Sequence, residues 1–169
     1  MRQSHEILDP SSYGRLRRSL AATAASAVLL LLATVAGAEA LDSVLKSLFQ
    51  RARPEPLGGW LGQAYSFPSG HATVAAAFYL FLTYLVWRRL GRVGRIAVVV
   101  GATLLVLLIG ISRVYLEAHY PSDVLAGFAT GFLWADYVLL GAHLVGRHRG
   151  RALTGQPPEG AVRGSRARA

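Results

Sequence analysis

Three short stretches of this chain hold residue types and spacings that suit work on a phosphate group. They are Lys46 and Arg53, seven residues apart; Pro68-Ser69-Gly70-His71; and Arg113, followed by His119 and Asp123. On a continuous helix a spacing of seven is two turns, so Lys46 and Arg53 would share a face and aim two cations at one spot, while Arg51 would point elsewhere. Proline is favoured at the first position of a helix, and Pro68 there would leave the backbone N–H groups of Ser69 and Gly70 among the unpaired donors of a helix N-terminus. Such an end attracts anions. Glycine lets a phosphate approach the backbone, the Ser69 hydroxyl adds a donor, and His71 stands one step on, able to give a proton to a leaving oxygen. His119 and Asp123 are four apart, with Pro121 between them at another helix start. A carboxylate bonded to one ring nitrogen there would fix the tautomer and raise the nucleophilicity of the other nitrogen. The planar fork of Arg113 suits two phosphate oxygens. Each piece alone also has a plainer reading: snorkelling anchors for the cations, an ordinary helix start for residues 68–71, and a helix cap for the His–Asp pair.

The elements that must position these residues read as membrane spans. Of 169 residues, 53% are hydrophobic and 16% charged, against about a quarter charged in a soluble domain. Residues 19–38 carry no charge and are long enough to cross a hydrocarbon core of ~30 Å at ~1.5 Å per residue. Further apolar runs cover 72–87, 96–112 and 124–145, the last interrupted by Asp136 and carrying His143 near its end. The pattern predicts an all-α bundle with four transmembrane helices. The first run follows RLRR and ends in AGAEA, which also has the look of a signal peptide. It exceeds the ~7–15 residues of a signal core, however, and it continues into Leu41, Val44, Leu45 and Leu48 at helical spacing, so it reads as one helix leaving the membrane. The chain thus divides into an N-terminal segment (1–18), a membrane-embedded domain (19–146) and a basic tail (147–169) that lacks a periodic apolar face and is expected to be disordered. There is no cysteine, hence no disulfide framework, thiol nucleophile or thiolate metal site.

A net charge of +9 would suit nucleic acid, an anionic membrane or phosphorylated substrates, and the placement of the charges decides. With the N-terminus in the cytoplasm, that side collects fourteen of the eighteen basic residues, from Arg2 to Arg18, from Arg88 to Arg95 and from Arg147 to Arg168. The positive-inside rule selects this topology, with both termini cytoplasmic, and accounts for the charge without nucleic acid. The four remaining cations, Lys46, Arg51, Arg53 and Arg113, lie on the far side, where the three stretches also converge from three helix ends. His5, His143 and His148 fall on the cytoplasmic side and receive no catalytic role.

Taken together, the stretches spell K-x6-R-P, P-S-G-H and S-R-x5-H-x3-D, in that order. This resembles the signature of the type-2 phosphatidic acid phosphatase family, which shares its phosphate pocket with bacterial acid phosphatases and vanadium haloperoxidases. The resemblance covers roughly residues 41–146. The wording RARPEP, YSFPSGHA and RVYLEAHYPSDVLAG is most similar to bacterial undecaprenyl pyrophosphate phosphatases and related short members. It implies His119 as a nucleophile that forms a phosphohistidine, Asp123 as its partner and His71 as general acid. Lys46, Arg53, Ser69, Gly70 and Arg113 would bind the phosphoryl oxygens. The implied substrate is a lipid phosphate or pyrophosphate such as a polyprenyl pyrophosphate, phosphatidate or phosphatidylglycerophosphate, at the outer face of a bacterial-type inner membrane. No cofactor is expected. The cations and a helix end suffice to stabilise phosphoryl transfer without metal, and Glu55, Glu117 and Asp123 are scattered among cations rather than clustered as magnesium ligands.

The chain departs from that family in one respect. Its membrane members typically have six spans with the first motif after the third, whereas one span precedes Lys46 here. The two absent helices would help to form the lipid entrance, and a homodimer would supply the missing wall. Rival readings are a phosphotransferase using the same pocket, a haloperoxidase, and a lipid-binding protein with an inactive pocket. Asp136 is expected to pair with a neighbouring helix or with water beside Arg147, not to act in catalysis.

Overall fold

None of the four charge-poor runs has an internal proline, and each is helical in the computed structural model, which describes residues 10–54 and 65–154. The helices are α1 (Pro10–Phe49), α2 (Gly70–Trp87), α3 (Arg92–Tyr115) and α4 (Pro121–Thr154), and the described residues contain no strand. All four are long and apolar enough to cross a membrane. The 40 residues of α1 reach about 60 Å, twice the hydrocarbon core. That helix runs unbroken through residues 36–40 and on past Leu48, as the spacing of its leucines predicts. It stops where Gln50 takes the left-handed conformation (φ 45°), a common way for a helix to end. At the other end of the bundle, Arg95 ties the α2–α3 turn by donating to the Trp87 carbonyl and lying over its ring.

One boundary differs from expectation. α4 does not end near Gly146 but continues through Thr154, into what the sequence marks as disordered tail. Extending a formed helix fixes one residue for one hydrogen bond, and the alanine, leucine and arginines of this stretch are good helix formers. Residues 1–9 and 155–169 lie outside the described part.

α2 is the centre of the bundle and touches the other three helices; its interface with α4 is the most extensive, whereas α1 and α3 do not touch. The α2–α4 seam is built from small residues. Gly127 and Gly131, one turn apart, turn their bare Cα atoms to α2. A Cβ at Gly127 would stand 2.7 Å from the Ser69 carbonyl oxygen and 2.9 Å from Ala72 Cβ, and one at Gly131 would run into the carbonyl oxygen of Thr73. Apolar helix surface gains little by leaving lipid for another helix, so close approach of small residues supplies the attraction. Ala38, Ala77 and Ala135 form the buried core, and Trp134 Nε1 donates to the Thr34 carbonyl at 3.0 Å, tying α4 to α1. The large apolar residues Leu104, Leu108, Ile111 and Leu133 are exposed, as lipid-facing side chains are.

Asp136 is exposed and makes no ion pair or hydrogen bond among the described residues, so the expected pairing with a neighbouring helix is not formed. Its neighbour Ala135 faces the core, and a rotation of about 100° per residue carries Asp136 off that face.

Candidate active site

The site lies where the C-terminal ends of α1 and α3 meet the N-terminal ends of α2 and α4. Lys46, in the last turn of α1, is buried. Its ammonium pairs with Asp42 one turn earlier and donates to the Pro68 carbonyl at 2.8 Å, which fastens α1 to the start of α2. Gly70 is small for a reason the sequence did not give. A Cβ there would come within 2.8 Å of Asp42 Oδ2, so the space is filled by a carboxylate from α1. A negative group at that position also suits the positive end of α2.

Pro68 precedes the helix cap instead of occupying the first helical position. Ser69 is the N-cap, with extended backbone (φ −82°, ψ 107°). Its N–H donates to the Asp123 carbonyl at 3.0 Å and so closes the α2–α4 seam at its top. That N–H is therefore engaged, contrary to expectation. The Ser69 hydroxyl is buried without a partner, and the N–H groups of Gly70 and His71 occupy the first two helical positions, which lack partners within the helix.

The helical argument for Arg53 fails because α1 ends before it; beyond Gln50 the chain is irregular. Arg53 nevertheless reaches the site, where its Nη1 donates to the Ala118 carbonyl at 2.9 Å. Arg51, expected to point away, is the residue that holds Asp123. Its Nη1 lies 2.8 Å from both Asp123 Oδ1 and Ser122 Oγ, and its guanidinium stacks 4.2 Å from the centre of the Tyr120 ring. A helical wheel has no meaning past the helix end, which is why spacing misplaced Arg51 and gave the wrong reason for Arg53.

Asp123, wholly buried, does not make the expected hydrogen bond to the His119 ring. Its Oδ2 accepts from the Tyr120 backbone N–H at 3.0 Å, the reach-back of a carboxylate in the first turn to the capping residue. The same oxygen is 3.8 Å from His119 Nδ1, too far for a hydrogen bond, although a carboxylate at that distance favours positive charge on the ring. The hydrogen-bond partner of His119 is instead the Ser66 carbonyl, 2.7 Å from Nδ1. A carbonyl only accepts, so Nδ1 carries the proton and the lone pair is on Nε2. The α3–α4 turn that presents the ring depends on Glu117, whose φ of 53° is left-handed.

Burial pushes the His119 imidazole down to about 4, with Arg53 acting in the same direction and the Ser66 carbonyl and Asp123 opposing. The ring is therefore neutral, with Nε2 free to attack, across the physiological range. The folded value lies below the unfolded one of about 6.5. The unfolded chain accordingly takes up a proton that the folded chain refuses, and this group's contribution to stability is full above about 6.5 and is lost as pH falls towards 4. Titration of the ring by heteronuclear NMR, with His119→Gln to assign its resonance, is expected to give a midpoint near 4. A midpoint at or above the free-histidine value would refute the assignment of a neutral, buried ring.

A cavity of about 710 Å³ opens beside this ring, and Arg53, Gly70, His71, Arg113 and His119 all line it. Lys46, Ser69 and Asp123 are buried and do not line it. Two residues that sequence reasoning missed are Glu39 and Asp42, both on the lining. They lie seven and four positions before Lys46 on one helix face, a signal available from spacing alone. Among the described residues, no group of three or more histidine, aspartate or glutamate side chains could hold a metal ion.

Residues 27–144 match the PAP2 superfamily. The chain is 38% identical over 95 residues to phosphatidylglycerophosphatase B of Bacillus subtilis, covering 55% of this chain and 47% of that protein. It is 36% identical over 112 residues to a lipid A 1-phosphatase of Rhizobium etli, covering 60% and 44%. Among solved structures, a transmembrane PAP2 type phosphatidylglycerolphosphate phosphatase from Bacillus subtilis aligns with a TM-score of 0.62 at 35% identity, over 69% of this chain and 59% of that one. The chain thus spans about half the length of the curated relatives it matches.

Proposed function

The chain belongs to the PAP2 superfamily, and from that premise we propose that this multi-pass membrane protein hydrolyses the phosphate of a lipid headgroup through a phosphohistidine on His119. The observation that carries the proposal is the His119 ring itself: buried, neutral, proton fixed on Nδ1 by the Ser66 carbonyl, and lining one cavity with His71, Arg53 and Arg113. Nε2 attacks phosphorus while the bond to the lipid oxygen breaks and His71 gives that oxygen its proton. The ring becomes cationic on phosphorylation, and Asp123 at 3.8 Å favours that charge. Water then attacks phosphorus, gives a proton to His71 and restores Nε2, releasing inorganic phosphate.

Arg53, Arg113 and the N–H groups at the start of α2 take the charge that spreads over the equatorial oxygens, the role usually shared with a metal ion in phosphoryl transfer. Lys46 supports the start of α2 through the Pro68 carbonyl, and Ser69 does so through its N–H on the Asp123 carbonyl. The positive-inside distribution supports an extracytoplasmic position for this end of the bundle.

The test is phosphate release by the purified full chain in detergent from phosphatidate, phosphatidylglycerophosphate and undecaprenyl pyrophosphate, with and without EDTA. Release from at least one lipid that persists in chelator is expected. No release from any of them defeats the hydrolase reading, and phosphate transfer only in the presence of an added alcohol acceptor would replace it with a phosphotransferase.

A further inference from the structure

The lining of the cavity changes character with depth. Along α1, Lys46 is nearest the helix end, Asp42 is one turn below and Glu39 a further turn below, all on one face. Along α2, which runs the opposite way, Gly70 and His71 come first, followed by Val74, Ala75 and Phe78. The cavity therefore has a cationic mouth (Arg53, Arg113), a middle with His71 and two carboxylates, and an apolar floor of α2 side chains. A lipid phosphate with its phosphoryl group in the mouth has its leaving group in the middle and its chains along the floor.

The two carboxylates of the middle are not equivalent. Asp42 is buried, paired with Lys46 and packed against Gly70, and so belongs to the scaffold. Glu39 is exposed to the cavity, makes no ion pair or hydrogen bond among the described residues, and lies within electrostatic reach of the His71 ring. A carboxylate only accepts hydrogen bonds, so beside the leaving oxygen it welcomes a hydroxyl or amine and repels a second phosphate. A lipid diphosphate would put an anionic phosphate at this level, where every cation except the transient charge on His71 lies above it.

We infer that Glu39 is a specificity residue that selects phosphomonoesters whose leaving group bears a hydroxyl next to the ester, as on glycerol or a sugar, over lipid diphosphates. This rests on the phosphatase reading above.

The test compares three substrates on wild type, Glu39→Leu and Glu39→Gln, read as ratios of kcat/KM within each protein so that a general loss of activity or of folded enzyme cancels. Phosphatidylglycerophosphate has a hydroxyl beside the ester, phosphatidate has none, and undecaprenyl pyrophosphate leaves as a phosphate. Wild type is expected to prefer the first and to use the third least. In Glu39→Leu the ratio of phosphatidylglycerophosphate to phosphatidate should fall roughly tenfold or more, the worth of one hydrogen bond to a charged group. The ratio of the diphosphate to phosphatidate should rise. Glu39→Gln keeps an acceptor without the charge, so the first ratio should fall less while the second rises as in the leucine variant. Unchanged ratios, or a wild-type preference for the diphosphate, overturn the role of Glu39 while leaving the phosphatase standing. No phosphate release from any substrate overturns both.

Discussion

His119→Ala is expected to lower kcat for lipid phosphate hydrolysis by about 10⁴-fold or more, with the helical fold retained. No neighbouring group can take over the attack. His71, also on the cavity lining, is assigned to the leaving oxygen, and the nearby carboxylates of Glu39 and Asp42 stand on that same side. The ring is buried and donates one hydrogen bond to the backbone, so truncation leaves the Ser66 carbonyl unpaired and costs about 1–3 kcal/mol of stability, a loss to be measured separately by thermal unfolding. Labelled lipid quenched during turnover should leave the label on wild-type protein and none on the alanine variant. A variant that turns over within tenfold of wild type would remove the covalent mechanism.

Gly131→Val is expected to reduce both stability and turnover although it lies well away from the phosphate cradle. Its side chain would drive into the Thr73 carbonyl oxygen and the Ala76 methyl, and neither backbone nor a buried alanine can swing aside. α4 must shift away from α2. That seam holds the Ser69 N–H against the Asp123 carbonyl, so the displacement separates the half of the site on α2 from His119. A misplacement of ~1 Å in such a constellation costs on the order of 10²-fold in rate, and overpacking costs about 1–3 kcal/mol. Gly141, where an added Cβ meets nothing within 4 Å, is the control: Gly141→Val should leave melting temperature and rate close to wild type. Equal behaviour of the two variants would show that the seam does not position the site.

The spans, the helix start at Pro121 and the convergence of the three stretches were legible because they depend on local properties: charge-free length, proline and helical spacing. Arg53, His71, Arg113 and His119 do share one cavity. What escaped was set by contacts between segments. Spacing placed Asp123 beside His119 correctly, but it could not show that Arg51 and the Tyr120 N–H would take the carboxylate while the ring turned to the Ser66 carbonyl. Gly70 looked like room for a ligand and is room for Asp42. The Gly127–Gly131 pair was readable as a small-residue seam of the kind that joins helices in lipid, and Glu39 and Asp42 were readable from their register with Lys46.

α1 and α3 make no contact with each other, which bears on how the lipid proposed as substrate would reach the cavity. Both helices contribute lining residues to the cavity, as does α2, so a cleft between them that opened towards the bilayer would admit a lipid sideways. Pulling two long acyl chains into water would expose roughly thirty methylenes at about 0.8 kcal/mol each, on the order of 20 kcal/mol, as much as many enzymes supply to their whole reaction. A lipid that slides in along the plane of the membrane keeps its tails dissolved and avoids that extraction, so only its head has to change surroundings.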